Sequence, residues 1–346
     1  MWHDRPAWAF RSVDSTRQAA LAALLTDAGW TLEDCRPLAG DASFRTYHRL
    51  VRDDRRAILM DAPPAHEDAG AFVRIAHHLV ALGYSAPRIL AESASQGFVL
   101  LEDLGDETFT RCLSGGANET ALYAMAVDLL IDLHRRPPDE ILPPDLVPRY
   151  DDTRLIEEVC LLTNWYVPAV LGTPPVAGAL FEYEALWRAV FPLARAVPET
   201  LVLRDFHMDN LMRLQGRRGV AACGLLDFQD AVAGPVTYDL VSLLEDARRD
   251  IDPALVAVLR HRYRAAFPAL DADAFAASWA VMAAQRHAKV IGIFTRLHRR
   301  DGKSDYLPHI ARVWRLLEAA LTHPMLADLR TWFEVHVPPW RRITPT

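Results

Sequence analysis

Apolar residues recur at helical spacing from Asp14 to Ala28, where Asp14 or Ser15 can cap the first turn and Gly29 ends the run. A second amphipathic stretch, Glu67 to Leu82, puts Phe72, Ile75, Ala76, Leu79 and Val80 on one face, and Gly83 stops it. Between these two the period changes. Phe44 to Val51 and Ala57 to Met60 have strand composition, and the charged Arg52-Asp53-Asp54-Arg55 between them reads as a hairpin turn. Arg88 to Ala91 and Gly97 to Leu101 predict two further short strands. After Gly105 the pattern turns helical: Ala121 to His134 is halted by Pro137-Pro138, and Ala254 to Ala266, Ala272 to Phe294 and Leu307 to Leu321 follow later. Short apolar runs between Leu201 and Leu226, broken by Gly216-Arg217-Arg218-Gly219, predict a small hairpin among helices. The chain therefore reads as α+β, with a small β-rich lobe over residues 1–103 and a larger, mainly helical lobe over 104–346.

Composition narrows the chemistry. The 346 residues carry 45 acidic and 38 basic side chains, a formal net charge of -7, whereas a general nucleic-acid binder leans basic. A small-molecule partner is the expectation, with no nucleic acid and no membrane. Every basic residue except Lys289 and Lys303 is an arginine, so chemistry that needs a lysine in the first 288 residues is excluded. Cys35, Cys112, Cys160 and Cys223 lie far apart with no C-x-x-C pair, which fits free thiols in a reducing cytosol. The first eleven residues lack an apolar signal core, and no run approaches the roughly 18 uninterrupted apolar residues of a membrane span. These features predict a soluble, cytoplasmic protein.

The richest chemistry lies in Leu203-Arg204-Asp205-Phe206-His207-Met208-Asp209-Asn210 and in Leu225-Leu226-Asp227-Phe228. Two acids and an asparagine around a hairpin suit phosphoryl transfer. One aspartate takes the proton of the attacking hydroxyl, while the asparagine and the second aspartate supply oxygen ligands to Mg²⁺. Spacing alone leaves an ordinary loop as an equal alternative. Asp205, His207 and Asp209, at alternate positions, also admit a zinc or manganese reading.

The same segment resembles the catalytic loop of the aminoglycoside phosphotransferase superfamily, H-G-D-x-H-x-x-N, here L-R-D-F-H-M-D-N. Leu226-Asp227-Phe228 resembles that superfamily's metal-binding motif, and Asp239-Leu240 its downstream D-L. GFVLLEDLGD (Gly97–Asp106) is similar to its inter-lobe connector. GDASFRTY (Gly40–Tyr47), ILMDAPP (Ile58–Pro64), DFQDAVAGPVTYDLVSLLEDAR (Asp227–Arg248) and QRHAKVIGIFTRLHRRDGK (Gln285–Lys303) narrow the resemblance. They resemble the bacterial anomeric amino-sugar kinases that phosphorylate N-acetylmuramate and N-acetylglucosamine in cell-wall recycling.

The resemblance implies a two-lobed, protein-kinase-like fold and an ATP- and Mg²⁺-dependent transfer of the γ-phosphoryl group to the anomeric hydroxyl of an amino sugar. It implies Asp205 as catalytic base and Asn210 and Asp227 as Mg²⁺ ligands. Backbone amides of Asp41, Ala42, Ser43 and Phe44 would cover the phosphates, and Glu102 to Leu104 would present main-chain groups to adenine. Asp239 would hold the catalytic loop. Two departures stand out. The superfamily's first histidine is Leu203 here, a role His207 could take over. The strand lysine that grips the phosphates is absent, its expected place near Met60 being apolar, and Arg45 or Arg49 is the natural replacement, Arg45 first. Trp165-Tyr166 could form an aromatic sugar wall or ordinary core, and Arg286 could meet a substrate carboxylate or a structural acid. The alternatives are a phosphotransferase for another hydroxylated substrate, such as an aminoglycoside, and a catalytically silent kinase-like module.

Overall fold

A computed structural model describes residues 15–38 and 44–346, which form two compact units. The first comprises the described residues up to Gly115 together with Asp209–Asp230, and the second comprises Gly116–Met208 and Ala231–Thr346.

The first unit opens with helix α1 (Ser15–Asp27), which buries Leu21, Leu24 and Leu25. Strands β1 (Cys35–Pro37), β2 (Thr46–Arg52), β3 (Arg55–Asp61), β4 (Ile89–Ser93) and β5 (Phe98–Leu101) form one antiparallel sheet in the order β1-β2-β3-β5-β4. The β2–β3 hairpin turns where its charge pattern predicts: Arg52 pairs with Arg55, and Asp53 takes the left-handed φ of 52° that closes a tight turn. Leu50, Ala57, Leu59, Phe98 and Leu100 pack one core with α1 and Trp30, so alternation along the strands becomes a buried face. Helix α2 (Ala69–Ala81) starts two residues later than its hydrophobic pattern suggests, because Asp68 caps it by accepting the Ala71 N–H. Phe72, Ile75, Ala76 and Leu79 are buried, as their spacing requires, while Val80 is only partly so. Gly97, at φ +77°, is held against Ala62, where a Cβ would lie 1.9 Å from the Ala62 carbonyl oxygen. A short helix, α3 (Phe109–Ser114), and the hairpin Leu211–Arg213/Cys223–Leu225 complete the unit. That hairpin turns at Gly216, as its glycines predict.

The second unit is mainly helical. Helix α4 (Glu119–Arg135) is capped by Asn118 and ends before the paired prolines. At the centre runs a 30-residue helix, Ala272–Asp301, capped by Asp271 and terminated by Gly302 at φ +68°. Helices Asp152–Leu161, Ala177–Ala194 and Ile310–Ala320 pack around it. Between the first two of these the chain makes a π-helical turn, Leu162–Tyr166, that also lies on the central helix. Strands Glu199–Val202 and Val232–Pro235 pair antiparallel, bracketing residues 203–231. No helix among the described residues is long and apolar enough to cross a membrane.

Candidate active site

In the first unit a cavity of about 250 Å³ opens beside the sheet. Its walls are apolar: Leu38, Ile58, Phe72, Leu101, Met212 and Leu226 suit the faces of a planar ring. Its polar rim is Arg45, Arg49, Glu102, Asp103, Asn210 and Asp227, with Leu104 and Gly105 of the connector alongside. Residues 41–43 of the expected phosphate-covering turn lie outside the described residues. Phe44 is exposed and stacks on His66 at 4.4 Å.

The connector is held by its own charges. Glu102 donates its N–H to the Arg88 carbonyl, and its carboxylate accepts from Arg88 and from Arg217 at 2.7 Å. Arg49 reaches from β2 to Asp103 at 2.8 Å and to Asp106 at 2.9 Å. Arg49 thus braces the connector, while Arg45 faces the acids. The Arg45 guanidinium is 8% exposed and lies 2.9 Å from Asp227 Oδ1 and 3.6 Å from Glu67. Burial pulls its pKa down, but Tyr47, Asp227, Glu67 and Asp230 outweigh that and raise it, so the charge is permanent. Met60, near the place expected for the absent lysine, is fully buried between Tyr47 on β2 and Val99 on β5.

Asn210 and Asp227 are brought together within this unit. Asn210 accepts the Leu226 N–H at 3.0 Å through its carbonyl, and its Nδ2 lies 3.4 Å from Asp227 Oδ2. Asp227 sits at φ 58°, and Gln229 donates to its Oδ1 at 3.0 Å. A carboxamide and a carboxylate oxygen side by side are hard donors that fit Mg²⁺. Among the described residues no three of His, Cys, Asp and Glu gather into a cage. A cation at Asp227 would therefore draw further ligands from phosphates and water, which is how Mg²⁺ is commonly bound.

The second unit holds Asp205 in a turn built by Asp239, whose carboxylate accepts the Leu203 N–H at 2.6 Å and the Arg204 N–H at 2.9 Å. Burial pushes Asp239 up to about 7 against those two amides. Arg204 has φ 68°, a left-handed conformation that the superfamily's glycine takes freely and that costs an arginine about 1–2 kcal/mol. Its carbonyl accepts from Arg286 at 3.0 Å and from Ser242 at 3.2 Å, and its guanidinium pairs with Glu158. Burial would raise the Asp205 carboxyl, but the permanent charges of Arg286, Lys289 and Arg204 lower it below its ordinary value. It stays an anion, as a base requires.

His207 is buried, and burial with the nearby Arg248 guanidinium at 3.4 Å drives it down to about 3. It is neutral in use. Leu203, in the first-histidine position, is core. Arg286 is bound to the Arg204 carbonyl and the Tyr238 hydroxyl, which puts it in the framework of the loop. Tyr166 is fully buried against Trp314 with its hydroxyl on the carbonyls of Arg341 and Ile343, whereas Trp165 is half-buried.

Sequence reasoning missed the hub of this unit. Glu158 receives Lys289 at 2.9 Å, Gln285 at 2.7 Å, Arg204 and the Tyr150 hydroxyl. The available signal was Lys289 itself, one of two lysines in the chain and set inside a long motif.

Residues 34–276 match the profile of the phosphotransferase enzyme family. A relative from Caulobacter vibrioides, named N-acetylmuramate/N-acetylglucosamine kinase, is 36% identical over 358 residues, covering 94% of this chain and 98% of its own. One of the same name from Pseudomonas aeruginosa is 36% identical, covering 92% and 94%. A choline/ethanolamine kinase family protein from Mesorhizobium loti has the same fold, with a TM-score of 0.60 over 93% of this chain and 99% of that chain at 17% identity. Wild-type aminoglycoside 2'-phosphotransferase-IIIa aligns with a TM-score of 0.56 over 89% and 99% at 16% identity. The fold is therefore protein-kinase-like, a small antiparallel sheet and a largely helical body.

Proposed function

The chain belongs to the phosphotransferase enzyme family, and from that premise we infer that it is an ATP-dependent kinase of the anomeric hydroxyl of N-acetylmuramate and N-acetylglucosamine. The observation that carries this reading is end-to-end similarity to kinases of that name, 36% identity over 94% of the chain. The residues supply a consistent division of labour. The apolar cavity of the first unit takes the adenine, with Glu102 and Leu104 of the connector offering main-chain groups. Arg45 takes the place of the absent lysine and meets the phosphates with a bidentate cation. Asn210 and Asp227 hold Mg²⁺, which supplies charge neutralisation to the phosphates when bound.

Asp205, held ionised by the surrounding cations, accepts the proton of the anomeric hydroxyl as its oxygen attacks the γ-phosphorus. The new O–P bond forms as the bond to the departing ADP oxygen breaks, and the proton remains on the Asp205 carboxyl. Asp239 and Arg286 keep the loop that carries this base in one conformation.

The test is direct. The purified chain is incubated with Mg²⁺ and ATP, and ADP is measured with N-acetylmuramate, N-acetylglucosamine, an aminoglycoside or no acceptor. Turnover with the two amino sugars and a sugar 1-phosphate product are expected. Turnover with the aminoglycoside alone, or with no acceptor at all, would overturn the reading.

A further inference from the structure

Four described residues other than glycine hold a left-handed φ: Asp53, Asp145, Arg204 and Asp227. Three are aspartates, whose short polar side chains make that conformation tolerable. Arg204 is the exception, and it stands immediately before Asp205. The Asp205 N–H donates to the Leu203 carbonyl at 2.9 Å. A bond across three residues with a central φ of 68° marks the rare, strained form of γ-turn. The turn that presents Asp205 is therefore bent at a residue poorly suited to it.

Strain of this kind persists only where the surroundings over-determine it. The main chain accounts for part of that. Asp239 accepts the Leu203 and Arg204 N–H groups, and the Arg204 carbonyl accepts from Arg286 at 3.0 Å and from Ser242 at 3.2 Å. A glycine at 204 could make its share of those bonds as well. What a glycine lacks is the side chain, and here the side chain has a fixed destination. The Arg204 guanidinium pairs with Glu158, the two side chains being only 17% and 13% exposed, and it lies 5.9 Å from the centre of the Tyr150 ring. Glu158 is itself held by Lys289 at 2.9 Å and Gln285 at 2.7 Å, both on the central helix, and by the Tyr150 hydroxyl. The side chain thus ties residue 204 to two helices that pack on each other, Asp152–Leu161 and Ala272–Asp301. A charge-assisted contact from a planar fork to an immobile carboxylate fixes direction as well as distance.

The backbone angles of Arg204 set the direction in which the next residue leaves the turn, so what holds Arg204 also aims Asp205. The charge of Arg204 reaches Asp205 too. The Asp205 carboxyl is faced by Arg286, Lys289 and Arg204, by His207, which burial keeps neutral, and by the Asp239 carboxyl. We propose that Arg204 is a positioning residue for Asp205, its pairing with Glu158 holding the γ-turn that aims the carboxylate at the acceptor hydroxyl. This rests on the amino-sugar kinase reading, in which Asp205 is the base.

The experiment compares wild type with Arg204→Gly, Arg204→Lys, Glu158→Gln and the double variant Arg204→Gly/Glu158→Gln. Each is assayed with ATP and N-acetylglucosamine across pH, and the amides of residues 203–209 are followed by hydrogen exchange. In Arg204→Gly, kcat should fall about 10- to 100-fold, the range for misplacing a reacting group by about an ångström, while both KM values hold. The acid limb of the kcat profile should move to higher pH, because one of the charges that keep Asp205 ionised is gone. Arg204→Lys should recover part of both effects. The double variant should lose little more than the weaker of the two single variants, since the pair acts as a unit. Exchange over residues 203–209 should quicken in Arg204→Gly and stay unchanged in the central helix. An unchanged kcat would overturn the proposal. So would losses shared between kcat and both KM values with exchange raised throughout, which would mark a general structural role. Losses that multiply in the double variant would separate Arg204 from Glu158 and overturn it as well. If wild type turned over no sugar, the amino-sugar kinase reading would fall, and the exchange comparison would still decide whether Arg204 holds the turn.

Discussion

Arg45 and Asp227 are 182 residues apart in the chain and 2.9 Å apart in the structure. We propose the first as the cation that replaces an absent lysine and the second as a carboxylate ligand of Mg²⁺. On that proposal, phosphate oxygens would replace the Asp227 carboxylate as the partner of Arg45 when nucleotide binds. Arg45→Met should lower kcat/KM for ATP about 10- to 100-fold, the cost of one charged hydrogen bond or pair of them, and Arg45→Lys should restore part of it. Steady-state kinetics with ATP varied at saturating sugar checks this. An unchanged KM and kcat would remove Arg45 from the phosphate site.

Asp205→Asn keeps the side chain's shape and removes its basicity. kcat should fall by about 10²- to 10⁴-fold, the usual contribution of a positioned general base, with KM for ATP little changed. Turnover at the wild-type rate in a sensitive ADP assay would mean another group takes the proton.

Glu158 predicts a pH dependence of stability. Burial raises its carboxyl, but the charges of Lys289 and Arg204 and the hydrogen bonds from Tyr150 and Lys289 outweigh this and hold it at about 2, against an ordinary 4.5. The folded state therefore binds fewer protons here than the unfolded state. The stabilisation is complete above about pH 4.5 and is lost as pH falls toward 2. Thermal melts of Glu158→Gln should show a shallower loss of stability across that window than wild type. Glu158→Ala, which strands Lys289 and Arg204, should cost about 3–5 kcal/mol at neutral pH. Parallel acid profiles for wild type and Glu158→Gln would contradict the assignment.

Gly292 and Gly178 provide a matched pair. Gly292→Ala would drive a methyl into the Leu161 backbone, with distances of 2.3 and 2.5 Å to its carbonyl carbon and oxygen. Backbone yields little, so about 1–3 kcal/mol or more of stability should be lost in a denaturant titration. Gly178→Ala, with nothing within 4 Å, should gain about 0.4–1 kcal/mol by restricting the unfolded chain. A neutral Gly292→Ala would show that the two helical segments separate readily there.

The short strands and hairpins were legible because their signals are local. Charged Arg52–Arg55 and Gly216-Arg217-Arg218-Gly219 are turn chemistry, and both turn where expected. Helix α2 was legible from periodicity, apart from the cap that delays its start. Strand β1 was not, since three residues at a sheet edge exist only through pairing with β2. Helix Asp152–Leu161 was hidden for another reason. Its inward face carries Glu158, and a charge on a buried stripe defeats an amphipathic reading unless its partners are known.

Within the candidate site, the chain's own residues determined the chemistry on offer: a carboxylate base, two oxygen donors five and twenty-two positions on from it, and a nucleotide lobe without lysine. Types and short spacings are properties of sequence. Which cation answers which acid was decided only by tertiary structure. Arg45, just before β2, turns to Asp227 while Arg49, four residues on and within that strand, braces Asp103 and Asp106. Lys289, 131 residues from Glu158, joins Arg204 on one carboxylate. Coulombic pairing falls off with distance in space and is indifferent to distance along the chain, so only the fold could assign those partners.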